Sequence, residues 1–233
     1  MKRLAVFASG SGTNLQSIID KINSGYIDNA SIELVLSNKK NAYALERAKK
    51  HDIDAVFLSP KKYRTDDKET SRVNYDRACM ELLENYSIDY VILAGYMRLL
   101  SKEFVKKWSM RILNIHPAIL PAFPGVDAQQ QAIDYGVKVS GATVHFVDEY
   151  VDHGPVILQA FTPVFPEDTR DEFTKRNLKR EHFIYPEAIR LLVNNYIQVR
   201  DRIVYITEDG FYEQYYKTLI DMLLEDLKNR KGT

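Results

Sequence analysis

Asn114-Ile115-His116-Pro117 brings together the residue types that chemistry at a carbonyl requires. In an extended segment alternate side chains share a face, so Asn114 and His116 point one way and Ile115 the other. Pro117 favours that conformation, because the residue before a proline is pushed toward extended geometry. A carboxamide there can donate to a developing oxyanion, and an imidazole can give or take a proton near neutral pH. The stretch sits between an apolar run ending in Ile112-Leu113 and a proline-rich loop from Ala118 to Gly125, which places the pair at the mouth of a strand.

Ser9-Gly10-Ser11-Gly12-Thr13-Asn14 is the second stretch with chemistry in it. It follows a continuous apolar run, Leu4 to Ala8, and precedes a helical pattern of Leu15, Ile18, Ile19 and Ile22. A glycine turn between a buried strand and a helix N-terminus is where an open α/β sheet cradles phosphate. The glycines admit close approach, and free amides plus the helix dipole favour the anion. The dinucleotide pattern fails because Leu15 stands at the third glycine, and the P-loop pattern fails for want of a Gly-Lys-Ser/Thr ending. The turn therefore suits a monophosphate. Its alternative reading is a plain glycine turn with Thr13 or Asn14 as a helix cap.

The elements that must position these groups alternate in type. Strands are expected at Leu4–Ala8, Ile32–Leu36, Ala55–Leu58 and Tyr90–Ala94, separated by helices over Ala42–Lys50 and around Val73–Tyr86. Ser101 is placed to cap a short helix running to Trp108. Strands joined through helices imply parallel crossovers and a doubly wound, mostly parallel sheet, in which ligands bind at the carboxyl ends of the strands. The glycine turn, Gly95 to Leu100 and Asn114 to His116 all lie at such ends.

Beyond Gly125 the pattern changes. A helix over Asp127–Tyr135, strands over Gly141–Val147 and Pro155–Val164, and an acidic loop from Asp148 to Gly154 suggest an antiparallel addition at the sheet edge. A long polar helix from Thr169 to Asn194 follows, which Pro186 is expected to interrupt or restart. From Asp201 a strand and turn lead into Tyr212, Tyr216, Leu219, Leu223 and Leu227 at helical spacing. That terminal helix packs on its own domain or forms a subunit contact, as in a homodimer. One domain over 1–200 with residues 201–233 as its extension is the simplest organisation.

The bulk numbers bound the partners. Cationic and anionic residues balance at 32 each over 233 residues, which speaks against a nucleic-acid surface. The single cysteine, Cys79, lies in a helical pattern as a small apolar side chain. No stretch approaches the ~20 apolar residues of a membrane span, and Leu4–Ala8 is too short for a signal-peptide core. A soluble, cytoplasmic protein acting on small molecules is expected, with no nucleic acid, no membrane and no metal.

In order and spacing, several long motifs resemble the phosphoribosylglycinamide formyltransferases. They are Ser9–Gln16, Leu93–Arg98, Asn114–Pro121, Val144–Val147, Val151–Gln159 and Glu181–Pro186, and the resemblance covers about residues 1 to 200. It implies transfer of a formyl group from 10-formyltetrahydrofolate, the co-substrate, to the amine of glycinamide ribonucleotide in de novo purine biosynthesis. It further implies that Asn114 and protonated His116 stabilise a tetrahedral intermediate and that Asp152 raises the histidine pKa. By the same resemblance Gly12, Thr13, Asn14 and Leu15 hold the phosphate, and Glu181 lies near the glycinamide end. Arg72, Met97, Arg98, Leu99, Leu100 and Asn114 border the folate.

The chain departs from the family pattern in two places. Val126-Asp127-Ala128-Gln129 lacks a histidine that relatives often carry after the Pro-Gly pair, and His153 stands beside Asp152 where small residues are common. Formyltetrahydrofolate deformylase is the alternative enzyme, but it carries an N-terminal regulatory domain, for which a sheet starting at Leu4 leaves no room. Methionyl-tRNA formyltransferase needs a further domain and a basic surface that about 30 neutral residues do not supply. A non-catalytic nucleotide-binding module would not require the Asn114, His116 and Asp152 set.

Overall fold

The computed structural model describes residues 1–230, so the last three positions of the expected extension lie outside the described residues. The chain divides into two compact units, residues 1–115 with 145–154, and residues 116–144 with 155 onward. Its seven main strands hydrogen-bond in the order β3-β2-β1-β4-β5-β6-β7, and two further strands form a separate small sheet.

The first unit contains β1 (Lys2–Phe7), α1 (Thr13–Asn23), β2 (Ala30–Ser37), α2 (Tyr43–Lys50), β3 (Asp54–Phe57), α3 (Lys68–Asn85), β4 (Tyr90–Leu93), α4 (Lys102–Lys107) and most of β5 (Ile112–His116). β1 pairs in parallel with both β2 and β4, β2 with β3, and β4 with β5. Each parallel step needs a crossover, and the intervening helices supply it. Leu4 through Ala8 are wholly buried, as a strand covered on both faces demands. Phe7 packs edge-on against Tyr96 at 5.3 Å between centroids, within a cluster that includes Tyr75, Leu83, Phe104 and Trp108. Capping fixes the helix starts. Asp67 accepts from the Thr70 amide at 2.6 Å, and Ser101, as expected, accepts from the Phe104 amide at 3.3 Å.

The second unit carries α5 (Ala128–Tyr135), most of β6 (Val139–Phe146), β7 (Val156–Pro163), α6 (Arg170–Val193), β8 (Ile197–Arg200), β9 (Ile203–Ile206) and α7 (Phe211–Arg230). The Val164 amide just past β7 donates to the Lys138 carbonyl just before β6 at 3.0 Å, so this pair runs antiparallel as expected. β8 and β9 form a second antiparallel pair with Ile197 opposite Ile206. A capping box of Thr169 and Glu172 starts α6.

Pro186 does not interrupt α6, contrary to expectation; the helix continues through it. A proline removes one amide donor and crowds the preceding turn. Here Ile184, Tyr185, Ala188 and Ile189 on either side of it are completely buried, and their packing outweighs the lost bond.

Close backbone approach fixes Gly141. A Cβ built there would lie 1.9 Å from the Ala160 carbonyl oxygen on the facing strand. Gly141→Ala should destabilise the protein by about 1–3 kcal/mol through forced strand separation. Denaturant titration checks this, and an unchanged midpoint would contradict the packing described.

Candidate active site

The strand order reverses between β1 and β4, since the chain builds outward through β2 and β3 before returning to the other side of β1. Loops leaving two such neighbours diverge and open a crevice. Both begin here with glycine-containing turns, and they touch at once: the Ser9 amide donates to the Gly95 carbonyl at 3.0 Å. The Ser9 hydroxyl accepts from the Met97 amide at 2.8 Å and donates to Asn38 Oδ1 at 2.6 Å.

The glycine turn is braced from behind by α2. The Ala44 amide donates to the Gly10 carbonyl at 3.1 Å, and Arg47 Nε donates to the Ser11 carbonyl at 2.8 Å. In a trans peptide the carbonyl and the following amide point in opposite directions. Holding those two carbonyls on α2 therefore turns the amides of Ser11 and Gly12 the other way. Gly12 is the N-cap of α1 at φ +71°, has no side chain to cap the helix, and is followed by no acidic residue in the first turn. A Cβ on Gly12 would meet Ala44 Cα at 2.8 Å, so glycine is required twice over. Thr13, Asn14 and Leu15 form the first turn of α1, with Asn14 and Leu15 buried. The result is an amide-lined, electropositive helix start of the size of one phosphate.

The second loop opens a cleft of about 510 Å³ between the start of α3 and residues 97–99. Arg72, Met97, Arg98 and Leu99 line it, joined by Lys61, Arg64 and Lys68. Met97 is 68% exposed and Leu99 54%, an apolar lip beside a cationic wall. Leu100 instead turns inward, partly buried against the core. Arg98 lies over the Tyr75 ring at 4.5 Å, and the segment's far end is held by buried Asp76, whose Oδ2 accepts from the Ser101 amide at 2.5 Å. Such a cleft suits a flat apolar ligand with an anionic end.

Asn114 and Asp152 come together in the first unit, around a third residue that the sequence did not single out. Asn114 Nδ2 lies 3.3 Å from His145 Nε2 and 3.5 Å from Asp152 Oδ1. His145 is buried, and its Nδ1 faces the Phe146 carbonyl at 2.8 Å. That carbonyl can only accept, so Nδ1 carries the proton and Nε2 accepts from the Asn114 amide. His145 Nε2 is also 3.7 Å from Asp152 Oδ1. The loop bearing Asp152 is closed by Gly154, where any Cβ would fall 1.9 Å from the Phe146 carbonyl oxygen. His153, the departure beside Asp152, pairs with Asp148 at 2.7 Å.

His116 and Glu181 belong to the second unit. His116 ends β5, is 3% exposed, and its Nε2 lies 2.8 Å from the Phe123 carbonyl, so that nitrogen is a donor. Glu181 is buried on α6 and accepts from Asn177 at 3.4 Å.

His145 had a legible signal, a polar residue inside the apolar alternation Val144-His145-Phe146. Arg47 and Asp76 act across the fold, and nothing in their own neighbourhoods marks them; Ser9 lies in the marked glycine turn, but its bridge to Met97 and Asn38 is not visible there.

Residues 2–189 match the formyl transferase family. The chain is 42% identical over 207 residues to the phosphoribosylglycinamide formyltransferase of Haemophilus influenzae, covering 88% of this chain and 94% of that one. It is 43% identical over 194 residues to the trifunctional purine biosynthetic protein adenosine-3 of Drosophila melanogaster, taking in 83% of this chain but 14% of that much longer one. A crystal structure of glycinamide ribonucleotide transformylase 1 from Symbiobacterium toebii aligns with a TM-score of 0.85 at 46% identity, over 89% of this chain and 95% of that one.

Burial pushes the Asp76 carboxyl above its ordinary range, against the pull of the Ser101 amide and of Arg98 and Arg72. The folded state thus holds this proton more tightly than the unfolded chain. Its contribution to stability is complete below about pH 3.9 and is lost as pH rises through the raised native value. Asn at this position does not titrate. The melting temperature of Asp76→Asn relative to the parent should therefore climb between pH 3 and 7, and a pH-independent difference would contradict the assignment.

Proposed function

The chain belongs to the formyl transferase family, and from that premise we propose that it moves the formyl group of 10-formyltetrahydrofolate to the amine of glycinamide ribonucleotide, a step of de novo purine biosynthesis. The observation that carries this reading is the shared origin of two unlike ligand sites: a phosphate-sized amide turn and a cation-walled cleft with an apolar lip, joined through Ser9. A ribonucleotide monophosphate fits the first. A folate, with a flat pterin and an anionic glutamate tail, fits the second. Gly12, Thr13, Asn14 and Leu15 hold the phosphate. Arg72, Met97, Arg98 and Leu99 border the folate, with Leu100 supporting that segment from the core side.

In the reaction the neutral amine attacks the formyl carbon, a C–N bond forms, and the carbonyl oxygen becomes an oxyanion. Asn114 supplies a donor whose amide nitrogen is already oriented by His145 and Asp152. Its contact to Asp152 is long at 3.5 Å, so the developing oxyanion can take that hydrogen over. His116 lies two residues along the same strand and, when protonated, adds a charge-assisted donor. Histidine's unperturbed pKa is about 6.5, so a carboxylate must favour the imidazolium for much of it to be present at neutral pH. We assign that role to Asp152, as the family resemblance implies. The intermediate collapses by breaking the bond to the folate nitrogen, which leaves with the proton the amine gives up. Glu181 is assigned to the glycinamide end on the same resemblance.

Incubation with 10-formyltetrahydrofolate, with and without glycinamide ribonucleotide, tests the reaction. Folate consumption should require the ribonucleotide, whereas consumption in its absence would identify a deformylase instead. His116→Ala should lower kcat by about 10²–10⁴-fold with ribonucleotide binding retained, and Asp152→Asn should lower the apparent pKa of the ascending limb of the pH–rate profile. An unmoved limb would remove Asp152 from that role.

A further inference from the structure

Helix α7 is apolar on two adjoining faces. Phe211, Tyr215 and Leu219, with Asp226 below them, are at most 6% exposed and hold the helix to its own unit. Tyr215 stacks on Phe211 at 5.2 Å and donates its hydroxyl to the Gln159 carbonyl at 2.6 Å, while Asp226 pairs with Arg180 at 2.5 Å. Tyr212, Tyr216, Ile220, Leu224 and Leu227 form the second face. They are 49%, 55%, 51%, 48% and 40% exposed, and their spacing of four, four, four and three residues makes one stripe. Scattered surface apolar residues need no explanation, but a continuous line about 23 Å long on one helix does.

We propose that this stripe is where two copies of the chain meet, α7 against α7, antiparallel about a two-fold axis through Ile220. The residues of the stripe select the occupant. In the antiparallel pairing Tyr216 lies opposite Leu224 and Tyr212 opposite Leu227 or Lys228, so each ring faces a slimmer side chain. Glu213 on the flank then faces Lys228 of the second copy. A parallel pairing would leave Glu213 and Lys228 of opposite copies about 23 Å apart along the helices and lose that ion pair. The stripe is thus complementary to its own reverse. Aromatic side chains expose about 150–250 Å² when free and aliphatic ones less, so five half-covered ones offer about 400 Å² per copy. That is below the ~800 Å² per partner of a standard interface, which makes this a weak, concentration-dependent dimer.

Sedimentation velocity of the full chain from about 5 to 200 μM tests the contact. The weight-average mass should climb from monomer toward dimer over that range. Ile220→Glu should remain monomeric throughout, with its far-UV circular dichroism and its turnover unchanged. E213K alone should weaken association several-fold, and adding K228E on the same chain should restore it, since each reversed charge again faces its opposite. A parent that is monomeric at every concentration overturns the proposal and points to a different partner for the stripe. An Ile220→Glu dimer, or a double variant no better than E213K, overturns it as well.

Discussion

Two carbonyl groups, those of Gly10 and Ser11, are held on the start of α2, and the rest of the site follows from that constraint. Peptide planarity converts it into a direction for two amides. Without α2 behind it, a turn of small residues would sample many conformations, and ordering it on a ligand would consume binding energy. With α2 in place the donors are oriented before any anion arrives. Gly12 completes the arrangement because only glycine tolerates both its left-handed backbone and its contact with Ala44.

Ser9 passes this order on to the neighbouring loop. One hydroxyl serves as acceptor for Met97 and as donor to Asn38, so the second residue after β1 also fixes an exposed residue of the loop after β4. At the other end of that segment Asp76 is buried at a cost, since burial disfavours its charged form. Burying a carboxyl against its own desolvation makes sense when it orients a backbone amide, as this one does for Ser101. The apolar lip between these anchors is exposed without being loose.

The fold was legible wherever local chemistry decides the structure. Buried apolar runs marked β1 and β4, Ser101 marked the start of α4, and the alternation of strands with helices implied the parallel sheet. Pro186 misled because a local rule met tertiary packing strong enough to override it. In the site, the glycine turn and the Asn114 position announced themselves through residue type and spacing. The supports did not: Arg47 sits in an ordinary helix pattern and Asp76 reads as a solvated helix residue, and each acquires its role only through contacts made across the fold. His145 lies between these cases, a histidine in a strand whose neighbours are all buried.

Central to the proposed function is that the glycine turn and the 97–99 lip act as separate receptors sharing one root. Amide proton–nitrogen spectra of the protein, recorded with glycinamide ribonucleotide alone and then with an unreactive folate analogue alone, examine that claim residue by residue. The ribonucleotide should shift Ser11 and Gly12, the folate analogue Met97 to Leu99, and both should move Ser9. A ribonucleotide that binds and leaves the amides of the glycine turn unshifted would contradict it.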